Sequence, residues 1–341
     1  MAELAEITRY IIAGLLTRDF FIYPNGKVKN DLPGGDALFA AVGLRLWDEQ
    51  IGIISRISPD YPASWLHQMN QAGFAQSGLQ IAEQPFEQRR FIAYPEWDMP
   101  TSENPPSHYA RIRQAIPVGL ADYFTTQMQK EVQDANRQNS TLRLKDIPAE
   151  FLDASCAHIS RMPLQTQKHC LTLFQHEGIP NISWMPDSSI MNPIKMKELE
   201  NITKGVHIFF TTMKDLQALF HHTSFDVWEK IMALAEMGCE NICVLNGIGE
   251  QYIYSTQQKQ RWMIPAYPFT RMNDITGHEA AFCGGFIAGF RLTYDPLEAA
   301  LRGNISSSIM NESFGAFNAL DFLPELSHER LHLIRGLARK I

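Results

Sequence analysis

Short apolar runs alternate with longer segments of helical periodicity along this chain. Several of the runs end in Gly or in polar residues, and apolar residues recur at helical spacing in the segments that follow. The strands predicted in this way are 7–16, 50–57, 205–211 and 241–246, and the helices are 36–47, 62–72 and 224–237. Helices beginning after Thr276 and Asp295 fit the same series. This alternation is typical of an α/β fold in which helices cover a mainly parallel sheet.

Two segments depart from the alternation and predict a second, smaller sheet. Residues 20–32 have the pattern of a hairpin, with Asn25 and Gly26 as a type I′ turn, because both residue types tolerate positive φ. Residues 90–94 form another strand-like run. Together they predict a small β lid that projects from the main domain. Its two parts are about 18–33 and 88–95.

Composition and charge favour an ordinary globular protein. Of its 341 residues, 45% are hydrophobic and 20% are charged, and the formal net charge of −7 disfavours non-specific nucleic-acid binding. The apolar stretch 11–16 is too short to cross a membrane, which takes about 20 residues, and it lacks the flanks of a signal peptide. Five cysteines without a CxxC pair indicate free thiols and a cytoplasmic location. In 95–150, rich in Pro, Gln and Asn, we expect loops and a helix near 121–138.

Three weaker patterns favour structural roles. Residues 328–332 match HExxH, but only nine residues follow, and a catalytic zinc needs a third protein ligand, so we expect a closing helix. Cys239 and Cys243 have no second Cys or His pair nearby and are expected in the core. The pair Arg89 and Arg90 is typical of a solvated face.

The segment 274–286, DITGHEAAFCGGF, carries the most informative motif. It resembles the second signature of the PfkB (ribokinase-like) carbohydrate kinases, D-T-x-G-A-G-D-A-F followed by a run such as C-G-G-F. The resemblance continues without a gap through the helix that opens at Asp295, through Asn304, and on to Phe314-Gly315-Ala316. It implies a single three-layer ribokinase-like domain over 1–341, with the lid inserted in it.

A second patch near the start of the chain is consistent with this resemblance. Gly14 and Asp19 resemble the family's G-x-x-x-x-D, in which the Asp binds sugar hydroxyls. Gly34 and Gly35 resemble the Gly-Gly pair that lets the backbone approach the sugar, while Phe39 stands where an Asn is usual. The resemblance therefore implies a small sugar-like or nucleoside ligand, and a lid that closes over it and can pair two subunits as a homodimer.

The resemblance also implies a site for Mg·ATP. Gly247, Gly277 and Asn304 correspond to its nucleotide-binding positions, although Glu250 replaces a further Gly. Residues 212–215, Thr-Met-Lys-Asp, stand where the family has N-x-x-E, so that Asp215 would hold the metal weakly, through water.

The catalytic segment departs from the family pattern. Ala280 occupies the position of the catalytic Asp base, and Glu279 replaces a Gly beside the transferred phosphate. Loss of a general base costs about 10²–10⁴ in rate, and a lost anion-hole donor about 10²–10³ more. One hypothesis is therefore a pseudokinase, catalytically impaired or inactive and needing no cofactor, that binds a sugar-like ligand or a partner. The other is an active sugar or nucleoside kinase in which Glu279 or His278 replaces the base. Adjacent helical side chains diverge by about 100°, so a replacement base would need a shifted helix start.

Overall fold

A computed structural model describes residues 8–97, 99–123, 139–268 and 271–341. The strands are β1 Tyr10–Ala13, β2 Thr17–Ile22, β3 Val28–Gly34, β4 Ile51–Ile57, β5 Phe74–Ala75, β6 Leu79–Ile81, β7 Arg89–Ala93, β8 Cys156–Ile159, β9 Asn181–Trp184, β10 Ile208–Thr212, β11 Asn241–Leu245, β12 Gln251–Ser255, β13 Gln260–Ile264 and β14 Arg339–Lys340. The α-helices are α1 Asp36–Arg45, α2 Ala63–Gln71, α3 Pro105–Arg111, α4 Leu164–His176, α5 Met196–Thr203, α6 Met213–Leu219, α7 Val227–Ala235, α8 His278–Thr293, α9 Pro296–Glu312 and α10 Pro324–Arg335. The helix predicted near 121–138 falls almost entirely outside the described residues.

The large sheet runs in the order β14-β13-β12-β11-β10-β9-β8-β1-β4-β5, with β6 also paired to β4. The strands from β11 to β5 are parallel, and β12 to β14 extend one edge in antiparallel fashion. Successive residues of a strand face opposite sides of a sheet. Tyr10 and Ile12 accordingly pack with α1, α8 and α9, whereas Ile11 and Ala13 pack with α4 to α7. The predicted α/β architecture with a mainly parallel sheet is confirmed.

Glycines bring three helices into close contact on one side of the sheet. A Cβ atom at Gly284 of α8 would collide with the Ala40 carbonyl oxygen of α1, and one at Gly43 would lie 2.6 Å from the Ala281 Cα atom. On the other side of α8, a Cβ atom at Gly285 would meet Ser306 of α9. The C-G-G-F run therefore lets α8 lie between its neighbours at backbone distance, which fixes where the helix begins.

A separate three-stranded sheet, here called the small sheet, has the order β3-β2-β7. The tight turn between β2 and β3 is not the predicted type I′ turn, so that prediction was wrong. The Gly26 amide donates to the Tyr23 carbonyl oxygen at 2.9 Å, and Gly26 (φ 76°) has positive φ whereas Asn25 does not. Pro24 explains the shift, because proline favours the second position of a type I turn and moves the turn one residue earlier.

The face of the small sheet that points away from the main domain is covered by the chain itself. Its apolar residues pack against the segment 105–123, and the Arg89 Nη1 atom donates to the Gly119 carbonyl oxygen at 2.8 Å. The apolar residues in this contact are Phe20, Ile22, Phe91 and Ala93 of the sheet, with Tyr109, Leu120 and Tyr123 of the segment. A homodimer formed through this face would have to displace the segment.

We expect the protein to be monomeric for that reason. A second subunit could reach this apolar cluster only if the segment 105–123 left it, and the protein would then lose the hydrophobic free energy of that contact. Size-exclusion chromatography with light scattering should give 38.8 kDa, the mass of one chain, at micromolar concentration. A stable species of twice that mass, with the segment 105–123 protected from proteolysis, would show that another surface pairs two copies.

Candidate functional site

A cavity of about 530 Å³, here called the main cavity, lies between the small sheet and the carboxyl ends of the parallel strands. Parallel sheets bind ligands outside the carboxyl ends of their strands, so the fold places the cavity where a site is expected. Its wall combines the small sheet, the residues after β8, β10 and β11, and the start of α8. Several polar and charged side chains line it. They include Asp36, Arg90, Arg161, Lys214, His278 and Glu279.

Aromatic contacts join the small sheet to the segment before α8. Tyr94 and Trp97 line the main cavity with ring centroids 6.2 Å apart, and the Tyr94 hydroxyl lies 2.7 Å from the Thr276 Oγ1 atom. The Tyr23 hydroxyl donates to the Asp274 Oδ2 atom at 2.7 Å. Burial of Asp274 raises the pKa of its carboxyl to about 6, although the Thr276 amide donates to it. These bonds hold one wall of the main cavity in place.

Gly277, the residue directly before α8, has a left-handed conformation (φ 78°), which favours glycine. A Cβ atom there would also strike the ring of Phe39, the aromatic residue that replaces the usual Asn. The next residue, His278, has its Nδ1 atom 2.6 Å from the Ile275 carbonyl oxygen, so that Nδ1 carries the proton. Its Nε2 atom is buried, with no hydrogen-bond partner among the described residues.

Ala280 and Glu279 complete the first turn of α8 at the main cavity. Ala280 is buried and offers only a methyl group. The Glu279 Oε2 atom lies 2.9 Å from the Arg161 Nη2 atom, and Arg161 also approaches Asp36 at 3.7 Å. Burial would favour the neutral form of Glu279, but the Arg161 charge outweighs it and holds the pKa of Glu279 below its usual value. Glu279 is therefore an ionised, paired carboxylate, and Arg161 offsets much of the repulsion that the sequence suggested.

Asp19 is fully buried and meets an arginine. The Arg90 Nε and Nη2 atoms donate to its two carboxylate oxygens at 3.1 and 2.6 Å, and Thr17 donates to the Oδ1 atom at 2.6 Å. Both oxygens are thus engaged before any ligand arrives. The interpretation of Arg90 as part of a solvated face was wrong, because β7 turns Arg90 towards the main cavity and Arg89 towards the segment 105–123.

The Gly-Gly pair has a clear steric role beside Asp19. A Cβ atom at Gly34 would overlap the Asp19 carboxylate. Gly35 precedes α1 at φ 98°, and a Cβ atom there would lie 2.8 Å from the Leu16 Cα atom. The pair allows the small sheet, α1 and the strand-end carboxylate to meet. The approach of its backbone to a sugar, which the resemblance implied, stays a prediction.

The positions that the resemblance assigns to the nucleotide do not all line one pocket. Gly247 (φ 55°) lines both the main cavity and an adjoining pocket of only about 10 Å³, which has room for about one water molecule. The Asn304 side chain borders this pocket and is engaged within the protein. It accepts from the Tyr267 amide at 2.9 Å, donates to the Pro265 carbonyl oxygen at 3.0 Å, and also donates to Gln251. Gly277 lies away from this pocket, at the main cavity.

The residues that align with the metal motif form a helix cap. The Thr212 Oγ1 atom accepts from the Asp215 amide at 3.0 Å, and the buried Asp215 accepts from the Ser188 hydroxyl at 3.2 Å. Lys214 is exposed beside them. In the described ranges, no group of three or more His, Cys, Asp or Glu residues is arranged to hold a metal ion.

The other sequence patterns have structural roles. The HExxH segment lies within α10, where the His328 Nδ1 atom is 3.0 Å from the Pro324 carbonyl oxygen. All five cysteines are free and buried, and burial raises the pKa of Cys239 to about 12. Within the described residues, no helix is both long and apolar enough to cross a bilayer.

Sequence reasoning missed two residues that shape the main cavity. Arg161 follows β8, and Asp36 opens α1 directly after the Gly-Gly pair. The position of Asp36 offered a local signal, since it adjoins a recognisable motif. Nothing in the sequence near Arg161 indicates that it faces Glu279.

Comparison with known proteins agrees with this architecture, although no protein-family model matches the chain. The chain is 23% identical to a cytidine kinase from Thermococcus kodakarensis over 292 residues, which are 86% of this chain and 91% of that protein. A fructokinase with bound ATP from Xylella fastidiosa superposes with a TM-score of 0.69 at 14% identity, covering 96% of this chain and 99% of that one. A nucleoside kinase from Burkholderia thailandensis in complex with inosine has a TM-score of 0.67 at 12% identity, with 96% and 97% covered. The predicted ribokinase-like fold and the resemblance to the PfkB kinases are confirmed.

Proposed function

We propose that this chain, which has the ribokinase-like fold, binds a small polyhydroxylated ligand in the main cavity and transfers phosphate from Mg·ATP poorly or not at all. One observation carries the proposal: the first turn of α8 presents the Ala280 methyl group and the Glu279–Arg161 ion pair to the main cavity. A methyl group accepts no proton. A carboxylate paired with a guanidinium has a lowered pKa and is a weak base.

The ligand-binding half of the proposal is supported by the main cavity itself. Its volume of about 530 Å³ suits a sugar or a nucleoside, and it combines an aromatic wall with convergent polar groups. The similarity to a cytidine kinase and to an inosine-bound nucleoside kinase supports the same ligand classes. A cytoplasmic location would suit such a ligand.

The residues present do not fit phosphoryl transfer from Mg·ATP. Transferred phosphate is stabilised by donors and positive charge, whereas Glu279 places a carboxylate at that end of α8. Asn304 is engaged with its own chain, and the adjoining pocket has a volume of about 10 Å³. The Thr-Met-Lys-Asp segment offers one buried carboxylate where the metal would need support.

A second candidate is an active sugar or nucleoside kinase, and it rests on His278. The proton on Nδ1 leaves a lone pair on the Nε2 atom, which has no partner in the described part of the chain. Such a nitrogen can accept a proton from a hydroxyl, but this one is buried, so the start of α8 would have to shift before a ligand hydroxyl could reach it. Glu279 is the weaker alternative base because Arg161 holds it.

Two measurements on the wild-type protein separate these candidates. Calorimetric titration with Mg·ATP and with a panel of sugars and nucleosides, cytidine included, should detect ligand binding but little or no nucleotide binding. ADP release with the same panel should stay far below the roughly 1–100 per second of active kinases. Turnover in that range, lost in His278→Gln and kept in Glu279→Gln, would overturn the proposal and identify His278 as the base.

A further inference from the structure

The Asp19–Arg90 pair changes which group meets the ligand. The side chain of Asp19 has no exposed surface, whereas 32% of the Arg90 side chain is exposed, and Arg90 lines both the main cavity and a neighbouring cavity of about 580 Å³. A ligand hydroxyl that approaches this point therefore reaches the guanidinium group before the carboxylate. Arg90, which comes from β7, stands between the ligand and the residue that the sequence resemblance assigns to sugar binding.

The guanidinium group keeps most of its donors. It has five N–H bonds in a planar fork, and the Nε and Nη2 atoms each direct one of them at Asp19. The remaining three have no partner among the described residues. Two of them, one on Nη1 and one on Nη2, form the end-on edge of the fork and match the two oxygens of a carboxylate. A hydroxyl oxygen can also accept from these donors, but it carries no charge and makes weaker hydrogen bonds.

We propose that Arg90 is a specificity-determining residue and that the ligand of the main cavity carries a carboxylate, as in a sugar acid. The inference rests on the proposed binding function and names its substrate class. Asp19 orients the guanidinium group, and the carboxylate of the ligand binds the free edge. The hydroxyl groups of the ligand would then lie towards Thr276 and His278, which also line the main cavity.

The other charges at the main cavity do not separate a carboxylate from a phosphate. Arg161 is shared between Glu279 and Asp36, and Lys214 has no ion pair among the described residues. A second negative charge would strengthen the attraction to Arg90 and Lys214 as well as the repulsion from Asp36 and Glu279, so the experiment has to compare the two groups directly.

Calorimetry with matched pairs of compounds tests the proposal. D-Glucuronate is compared with D-glucose, and the open-chain acids D-gluconate and D-ribonate are compared with D-glucitol and D-ribitol. D-Glucose 6-phosphate tests a phosphate in place of the carboxylate. At least one acid should bind about 10- to 100-fold more tightly than its neutral counterpart, the range expected for charge-assisted hydrogen bonds.

Variants assign this preference to Arg90. In Asp19→Asn/Arg90→Gln, an amide pair replaces the ion pair, so that no unpaired buried charge is left, and the acid should lose about 10- to 100-fold in affinity. The ratio of acid affinity to neutral-sugar affinity should fall by the same factor, which distinguishes loss of the carboxylate contact from a general loss of binding. Arg89→Gln is the control, because it removes the same charge from the same strand on the face that points away from the main cavity, and acid binding should persist.

Each other outcome overturns the inference in a recognisable way. If neutral sugars or nucleosides bind as well as the acids, the substrate class is wrong while the binding function stands. If D-glucose 6-phosphate binds most tightly, the carboxylate assignment is wrong. If no acid and no neutral compound binds up to about 10 mM, a range that still detects weak ligands, both the inference and the binding function fail.

Discussion

Replacing Glu279 with Gly and Ala280 with Asp is expected to raise the rate of phosphoryl transfer from Mg·ATP by about 10²–10⁴, the contribution of a general base. The Asp would stand in the first turn of α8, at the main cavity, where the positive end of the helix dipole also favours a carboxylate. Removing Glu279 frees Arg161 and the helix amides to bind a phosphate. Reopening this anion site should raise the rate by a further factor of about 10²–10³. Steady-state ADP release with sugars, sugar acids and nucleosides measures the gain.

The matched control is Glu279→Gly/Ala280→Asn, which has the same shape and the same opened anion site but no proton acceptor. We expect it to show nucleotide binding by calorimetry without the gain in turnover. The single variant Ala280→Asp then separates the missing base from the obstructing Glu279. Equal rates for the Asp and Asn variants would mean that base loss does not limit the reaction, and that the nucleotide region around Asn304 does.

Gly284→Ala is expected to destabilise the protein by about 3 kcal/mol or more, at the upper end of the range for overpacked cores. The added methyl group would overlap the Ala40 carbonyl oxygen and lie 2.8 Å from the Leu44 amide nitrogen. Both atoms belong to the backbone of α1, so no side chain can turn away to make room. The two helices would have to separate, which also moves the start of α8. Chemical denaturation monitored by tryptophan fluorescence measures the change in the free energy of unfolding.

Gly336→Ala is the control for this prediction. Gly336 ends α10 with helical φ, and the nearest atom to an added methyl group is the Leu333 carbonyl oxygen at 3.7 Å. We expect a change within about 1 kcal/mol, of either sign, because only the conformational freedom of the unfolded chain is altered. A Gly284→Ala protein as stable as the control would show that α1 and α8 are not held at backbone distance in solution.

The sequence predicted the fold well because its signals are local. Alternating strand and helix periodicity reports which face of each element is buried, and β4 (Ile51–Ile57) lies within one residue of its predicted bounds. The turn after β2 shows the limit of a local rule: Asn-Gly indicated a type I′ turn, but the fixed φ of Pro24 was the stronger constraint. The substitution of Ala280 for an Asp was also visible in the sequence, because it required only an alignment with a motif.

The tertiary structure decided what the remaining site residues do. Asp19 and Arg90 are 71 residues apart in the chain, and only the parallel pairing of β2 with β7 makes them partners. Arg161 meets Glu279 because β8 ends and α8 begins at the same edge of the large sheet. The segment 105–123, which packs on the small sheet, likewise has no recognisable motif. Ion pairs and packed faces depend on which distant residues meet in space, and neither local periodicity nor a motif contains that information.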